Sequence, residues 1–262
     1  MNAYLFNRAM TERFLLDVDE PDDEKSEHTF GGPIRYDGAV PKGSEQPATL
    51  LFRLDMRDPC VGVKIPRVRW LPVFYPFGNL GGPFIYRTLS NRALEMLCQP
   101  YPKSMYRRGV KFGEFPTAFP QAPAYLLPTG YDPKDPQDVD YCGGVLGVDA
   151  LSEKERATLL RRMNEMYRSR YGDTYDPESD YYESLDQLVS KCSPFTQGIY
   201  DSPCPVRDCV NYRKEGSMRS LLCIDPEPED PFYELIGGGD DGQLVFEICP
   251  ECHVVMVHNP IT

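Results

Sequence analysis

Two cysteine pairs near the end of the chain have the spacing of metal ligands. Cys204 and Cys209 are separated by four residues, and Cys249 and Cys252 by two. With such short spacings one turn can direct both sulfurs of a pair to the same place, and four thiolates complete a closed tetrahedral Zn²⁺ site. We therefore predict that these four cysteines bind one structural Zn²⁺ ion. Buried free thiols and disulfides are the alternatives that the pattern leaves open.

The segment between the pairs must bring the two turns together. Residues 218–224 and 244–248 are apolar runs, and a glycine-rich stretch at 237–242 separates them. This pattern predicts two strands joined by a loop, with a cysteine pair near each outer end. The expected arrangement is a zinc-ribbon-like hairpin. His253 and His258 are possible substitute ligands, although His253 directly follows the last cysteine, so we expect its side chain to point away from the metal.

Two further strands are predicted in the first third of the chain. Residues 48–55 and 69–75 are apolar runs of strand length. Pro72 lies inside the second run and cannot donate a hydrogen bond to a neighbouring strand, which indicates an edge strand or a strand that starts there. Residues 51–55 also resemble residues 221–225, so we expect two related antiparallel β units.

Amphipathic patterns predict helices in three places. Residues 90–98 have an apolar face at helical spacing. Ser152 and Glu155 form a capping box before a helix that ends near Gly172. A third helix is expected at residues 177–191.

The remaining segments complete a β-rich α+β architecture. Residues 1–18 predict a short helix and then a strand, and the prolines of residues 115–137 predict an irregular surface segment. We expect an α+β domain over residues 1–192, with the proline-rich segment and the helices, and a zinc-ribbon-like unit over residues 193–262 that packs on it.

Composition limits the compartment in which the chain is expected. The sequence of 262 residues has 17 Tyr and 13 Phe, which argues against wholesale disorder. No run approaches the ~20 apolar residues of a membrane span. The first residues lack the features of a signal peptide. Nine cysteines without a secretory signal indicate a reducing compartment, so we expect a cytoplasmic protein without a membrane anchor.

The charge of the chain argues against nucleic acid as a partner. The net charge is −12, and residues 193–262 contain 4 basic and 12 acidic residues. Phosphate binding depends on clustered Lys and Arg, so a basic protein partner fits this charge better. A nucleic-acid-binding ribbon, the alternative, would need Arg207, Arg213, Lys214 and Arg219 on one face.

Motifs of common enzymes are absent from the sequence. It contains no G-x-S-x-G, no G-x-x-x-x-G-K-[ST] and no H-E-x-x-H. Four cysteine ligands would also leave no open position on the metal for a substrate. We therefore expect a non-catalytic protein. A hydrolase or transferase that uses the loop Gly239-Asp240-Asp241-Gly242 is the alternative.

Several of these segments together resemble a known family. Residues 221–225 and 238–246, with an apolar strand ending in Asp and a Gly-Asp turn, look like the YwqG-like bacterial family of unknown function. Residues 31–33, 51–55 and 71–75 fit the same family. The flanking cysteine pairs are similar to those in the C-terminal domain of programmed cell death protein 2, where they go with chaperoning of a ribosomal protein.

The resemblance covers two blocks and leaves residues 84–195 unmatched. The Trp that usually precedes the Gly-Asp turn of the family is missing here. The resemblance implies two related β-rich units and a binding role, as a bacterial immunity or chaperone-like factor. It carries over no catalytic residue.

Overall fold

The computed structural model describes the strands and the cysteine region of the chain. The described residues are 2–7, 12–17, 28–40, 47–77, 84–98, 118–128, 202–225 and 244–258, together with 152–154, 157, 158, 161 and 165. The chain divides into two compact units, of which the first comprises residues 1–129 and 201–262 and the second residues 130–200.

The described part of the first unit is built almost entirely of β-strands. They are β1 (Asn2–Asn7), β2 (Glu12–Asp17), β3 (His28–Phe30), β4 (Thr49–Asp55), β5 (Trp70–Tyr75), β6 (Phe84–Ser90), β7 (Ala93–Cys98), β8 (Ala122–Pro128), β9 (Arg219–Asp225), β10 (Leu244–Ile248) and β11 (Val254–His258). One short 3₁₀ turn at Pro59–Val61 follows β4. The predicted β-rich class is confirmed for this part of the chain.

All paired strands are antiparallel and form two sheets that share β8. The spatial order is β5-β4-β3-β8-β2-β1-β9-β10-β11-β6-β7. Strand β8 pairs with β2 in one sheet and with β3 in the other. Strand β5 lies at one end of this order, so the prediction that Pro72 indicates an edge strand is confirmed.

The two sheets enclose one hydrophobic core. Buried side chains of β4 and β5 belong to the same cluster as those of β6, β9, β10 and β11. Tyr86 of β6 is fully buried, and its hydroxyl donates to the carbonyl of Pro72 at 3.0 Å and accepts from the amide of Phe74 at 3.1 Å. This side chain therefore joins β6 to β5 across the core.

The four strands predicted from apolar runs are confirmed as β4, β5, β9 and β10. The strand pairs β4–β5 and β9–β10 are both antiparallel and have corresponding registers. Leu54 lies opposite Leu71 in the first, and Ile224 lies opposite Leu244 in the second. Each strand pair also contains one irregularity, since the register skips Leu51 of β4 in the first and Leu221 of β9 in the second.

Three expectations about local structure are wrong. Residues 90–98 form the turn and second strand of the β6–β7 hairpin. Strand β6 supplies hydrogen-bond partners for the backbone of this segment, which favours a strand over the predicted helix. The first seventeen residues contain strands β1 and β2 in place of a helix and a strand. Residues 122–128 of the proline-rich segment form β8, since the fixed φ of proline is compatible with extended backbone.

An ion-pair network closes the end of the β4–β5 hairpin. The Asp55 carboxylate is 1 % exposed and accepts hydrogen bonds from Arg57 and Arg69, at 2.7 and 2.8 Å from their Nη2 atoms. The Asp55 amide donates to Nδ1 of buried His28. That bond places the imidazole proton on Nε2, which lies 3.0 Å from an Asp58 oxygen. The network fixes β3, β4 and the 3₁₀ turn against one another.

Several sequence predictions fall outside the described residues. The described positions from Glu153 to Glu165 are helical. The bounds and apolar face of the helix predicted there, and the helix at residues 177–191, are not among them. The predicted domain boundary between residues 192 and 193 stays a prediction. Strands from both sides of that boundary pair with one another, β9 with β1 and β11 with β6. Among the described residues no helix is long and apolar enough to cross a bilayer.

Candidate metal centre

The first cysteine pair is held in a compact turn before β9. The Cys209 amide donates to the carbonyl of Val206 at 3.0 Å, and the Tyr212 amide donates to the carbonyl of Cys209 at 2.9 Å. The Arg213 amide then returns to the carbonyl of Cys204 at 3.0 Å. Arg213 closes this turn with a φ of 55°, which is a left-handed conformation that non-glycine residues rarely adopt.

The second pair lies in the tight turn between β10 and β11. The Cys249 amide donates to the carbonyl of Val254, and the His253 amide donates to the carbonyl of Cys249, both at 2.9 Å. His253 has a φ of 57°, so it occupies the left-handed position of this turn as Arg213 does in the first. Both cysteine turns therefore end in a residue that reverses the backbone.

Pairing of β9 with β10 brings the two turns together. Arg219 at the start of β9 lies opposite Ile248 at the end of β10. The turn with the first pair is bonded to the residue before β9, since the Met218 amide donates to the carbonyl of Ser202 at 3.2 Å. Cys249 directly follows β10, so antiparallel pairing places both pairs at the same end of these strands. The two cysteine pairs are therefore close in space although 39 residues separate them in the sequence.

The four sulfurs converge with the separations expected of metal ligands. All four Sγ atoms lie within 4.8 Å of one another. The Cys204 and Cys252 sulfurs are 3.5 Å apart, and those of Cys209 and Cys249 are 3.7 Å apart. A tetrahedron with Zn–S bonds of about 2.3 Å would separate its sulfurs by about 3.8 Å. A disulfide would need about 2.05 Å, so the four residues are free thiols in a geometry that could hold a metal ion.

Apolar side chains enclose the cluster on the side of the sheet. Cys204 and Cys249 are fully buried and belong to a small hydrophobic cluster with Ile85, Met218 and Val254. This cluster is separate from the main core. Cys209 and Cys252 are half-buried at its edge. The sulfurs therefore lie in surroundings that exclude most water.

Asn211 supplies two hydrogen-bond donors to the sulfurs from outside the set of four. Its backbone amide lies 3.4 Å from the Cys209 sulfur, and its side-chain Nδ2 lies 3.7 Å from the Cys249 sulfur. N–H groups directed at sulfur favour the thiolate, which is the form that binds metal. The sequence pattern gave no indication of this residue, because Asn is common in turns for other reasons.

Four ionised thiols this close together would need a cation to compensate their negative charge. Burial raises the pKa of the Cys204 thiol above its ordinary value, and the three neighbouring cysteines raise it further. Burial also raises the pKa of Cys252 to about 11. Burial opposes ionisation of Cys249 as well, but the backbone amides of Cys252 and Glu251 and the Asn211 side chain outweigh it and lower the pKa of that thiol. Four adjacent thiolates in this site therefore need a compensating positive charge.

The two histidines near the cluster are not part of it. The group of mutually close ligand atoms contains the four cysteines and no other described residue. His258 Nε2 lies 2.9 Å from Oε2 of fully buried Glu247 and 3.2 Å from Ser202 Oγ. Both contacts use the same ring nitrogen, so they do not form the relay of a Ser-His-acid triad, in which each ring nitrogen has one partner. Sequence reasoning did not find this buried cluster.

A nucleic-acid-binding ribbon would need four basic residues on one face, and one of them is already bonded within the fold. Arg207, Arg213 and Lys214 are exposed, whereas Arg219 is half-buried and donates to the carbonyl of Gly62 at 3.0 Å. The Gly239-Asp240-Asp241-Gly242 loop lies outside the described residues. Comparison of the chain with protein-family models, with curated proteins and with solved structures gave no match.

Proposed function

We propose that Cys204, Cys209, Cys249 and Cys252 bind one Zn²⁺ ion whose role is structural. The observation that carries the proposal is the convergence of all four sulfurs within 4.8 Å. Four thiolates at these separations fit the ligands and the tetrahedral geometry that Zn²⁺ prefers, and metal analysis distinguishes zinc from a single iron ion in the same ligand set. A reducing compartment such as the cytoplasm keeps the four thiols available.

A structural zinc ion in this position would join three parts of the sheet. Cys249 follows β10, Cys252 precedes β11, and Cys204 and Cys209 precede β9. In the absence of metal the described contacts that would hold these segments are strand pairing, the hydrogen bonds within the two turns and a small apolar cluster. The binding free energy of a structural zinc ion is added directly to the free energy of folding.

The closed ligand set supports a non-catalytic role. Catalytic zinc keeps one position for water or substrate, and four protein ligands leave none. We propose that the chain is a cytoplasmic protein-interaction module, related to the YwqG-like family and acting as an immunity or chaperone-like factor. The net charge of −12 supports a basic protein as the partner rather than nucleic acid or a membrane surface.

The interaction role is tested by affinity capture. The zinc-loaded chain, immobilised and incubated with an extract of its source cells at moderate salt, should retain a discrete basic protein that is released as salt rises. An unrelated protein of similar size and net charge serves as the control for charge alone. Recovery of the same proteins by both baits, or of acidic proteins only, would contradict the proposed partner. Tight binding of single-stranded nucleic acid would favour the ribbon alternative instead.

A further inference from the structure

A pocket with a positive lining lies in the first unit. It opens where the residues after β3 meet β4, the start of β5 and the β6–β7 turn, and its volume is about 570 Å³. Sites for small molecules have volumes of roughly 300–1,000 Å³. Arg35, Arg53 and Arg92 line the pocket, and no acidic residue and none of the four clustered cysteines is among the described residues that do so.

The arginines of this pocket differ from the other arginines around them. Arg57 and Arg69 are paired with the Asp55 carboxylate, and Arg87 is paired with Glu95. By contrast, no carboxylate within the described ranges lies in ion-pairing distance of the three arginines that line the pocket. Three uncompensated positive charges thus gather at one place in a chain whose net charge is −12.

Arg53 has a buried hydrogen-bond donor that no described residue accepts. It lies in β4, opposite Thr29 of β3 and Pro72 of β5. Its guanidinium carbon lies 4.5 Å from the centre of the Trp70 ring, and its Nε is buried without a hydrogen-bond partner among the described residues. Arg69 also lies against Trp70, at 4.2 Å, but its charge is compensated by Asp55. A buried donor without an acceptor is costly, so an acceptor from a ligand would complete the site.

The walls of the pocket are fixed by close backbone contacts. Gly31 and Gly32 have φ values of 61° and 96°, and a Cβ on Gly31 would lie 2.5 Å from the Pro120 carbonyl oxygen. Their amides donate to the carbonyls of Leu51 and Phe119. Only glycine allows the chain before Gln121 to approach β3 so closely, and Gln121 itself lines the pocket.

The turn that carries Arg92 is held in place by its neighbour. The Asn91 side-chain oxygen accepts from the amides of Arg69 and Trp70, at 2.7 and 3.2 Å. This leaves the Asn91 Nδ2 group as a donor at the pocket, since that residue lines it. Burial raises the pKa of Tyr36, another lining residue, to about 12, although the charge of Arg53 opposes this. The Tyr36 hydroxyl is therefore a neutral donor at ordinary pH.

We propose that this pocket binds a small molecule that carries a phosphate or carboxylate group, with the oxyanion on Arg53. Arg35 and Arg92 add positive charge to attract and hold it, Tyr36 provides aromatic surface for the remainder of the molecule, and the Trp70 ring holds the Arg53 guanidinium in place. The fork of a guanidinium group matches both oxyanions geometrically. The proposal does not depend on the metal centre, because the two sites share no residue.

Calorimetric titration at low salt with four probes tests the proposal on the full zinc-loaded chain. The probes are phenyl phosphate, phenylacetate, inorganic phosphate and phenol. We expect saturable binding of one molecule of phenyl phosphate or phenylacetate per chain, weaker binding of inorganic phosphate and no binding of phenol. The stronger of the first two identifies the oxyanion. Arg53→Gln should weaken that binding by about tenfold or more, because it removes a charge-assisted hydrogen bond.

Two further variants keep the test decisive. Arg92→Gln changes an exposed residue, so it should fold normally and still weaken binding severalfold. Arg67→Gln removes the same charge from an exposed arginine that does not line the pocket, and it should leave binding unchanged. The proposal is overturned if neither aromatic anion binds, if phenol binds as well as they do, or if Arg67→Gln weakens binding as much as the pocket variants.

Discussion

Asn211 contacts two of the four sulfurs without being a ligand itself. Its N–H groups lie 3.4 Å from the Cys209 sulfur and 3.7 Å from the Cys249 sulfur. Residues that donate to metal ligands orient them, and their loss typically lowers metal affinity by about 10- to 100-fold. We expect Asn211→Ala to lower zinc affinity by at least about tenfold. Competition with a chromophoric chelator measures the change.

The control for that variant is Asn91→Ala, which removes the same side chain from a turn in the pocket. Asn91 makes no hydrogen bond to the described cysteines, so zinc affinity should stay at the native value. Equal zinc affinity in the native chain and in Asn211→Ala would show that the N–H···S contacts do not support the site.

Asp55 makes the stability of the fold depend on pH. Burial acts to raise the pKa of this carboxyl, but the hydrogen bonds from Arg57 and Arg69 outweigh it and hold the pKa far below its ordinary value. A carboxyl whose pKa is lower in the folded chain stabilises the fold above its unfolded pKa of about 3.9 and loses this effect as pH falls toward the folded pKa. The pKa of Asp58 is lowered too: burial opposes this, and hydrogen bonds from Cys60 and His28 outweigh it.

We therefore expect Asp55→Asn to lower the free energy of unfolding by roughly 2 kcal/mol at pH 7, and by clearly less at pH 3. Urea denaturation of both chains at the two pH values measures the difference. Asp37→Asn changes an exposed carboxyl and should have little effect at either pH. A loss that is the same at pH 7 and pH 3 would show that the charge of Asp55 is not the cause.

At the scale of single residues, the cysteines could be predicted and their surroundings could not. Two short spacings within the pairs are local, so sequence alone shows that each pair can share a turn. Asn211 and the Glu247–His258 contact depend on which strands lie side by side. Nothing in the types of these residues distinguishes them from ordinary turn and strand residues.

One glycine holds the loop after β3 against the β6–β7 hairpin. Asp37 forms an isolated bridge with Ala93, and its carbonyl accepts from the Leu94 amide at 2.8 Å. Gly38 follows with a φ of 82°, and a Cβ there would lie 2.3 Å from the Leu94 carbonyl oxygen. We expect Gly38→Ala to destabilise the fold by more than about 1 kcal/mol in urea denaturation, because both the φ and the contact disfavour a side chain.

Val40→Ala is the control for the same loop. Val40 is half exposed, so truncating it should change stability by less than about 0.5 kcal/mol. If Gly38→Ala is as stable as the native chain, the close approach of the loop to the hairpin does not require glycine at this position.

Among the strands, the ones that could be predicted are those buried along most of their length. Strand β4 is buried at six of seven positions and β10 at all five, and such strands appear in sequence as short apolar runs. Strand β7 was predicted to be a helix because its apolar residues also fit helical spacing. Strand β6 forms hydrogen bonds with the backbone of β7, and the local sequence of β7 does not indicate which strand will lie beside it. For the same reason the sequence did not predict β8.

For the whole molecule, the metal centre and the main core stabilise the same sheet at different places. The core joins the two sheets through β4, β5, β6, β9, β10 and β11. The cysteines lie against a second, smaller cluster under β6 and β11. Loss of metal should therefore disturb the cysteine turns before it disturbs the main core.

One pocket has a charge opposite in sign to that of the chain as a whole. A net charge of −12 favours a basic partner for the surface as a whole. The pocket of Arg35, Arg53 and Arg92 has the opposite sign and gathers residues from five separate segments. Composition reports only the sum of the charges, so this pocket could be found only in the folded chain.

Zinc content shows most directly whether Cys204, Cys209, Cys249 and Cys252 bind a structural metal ion. The purified native chain should contain one zinc per chain, and so should Cys60→Ser, which changes a half-buried cysteine outside the cluster. Cys249→Ser should lose the zinc together with ordered structure around the cysteine turns, seen as faster amide hydrogen exchange there. A native chain that is folded, free of metal and titrates four accessible thiols in this region would contradict a structural zinc site, as would full zinc content in Cys249→Ser.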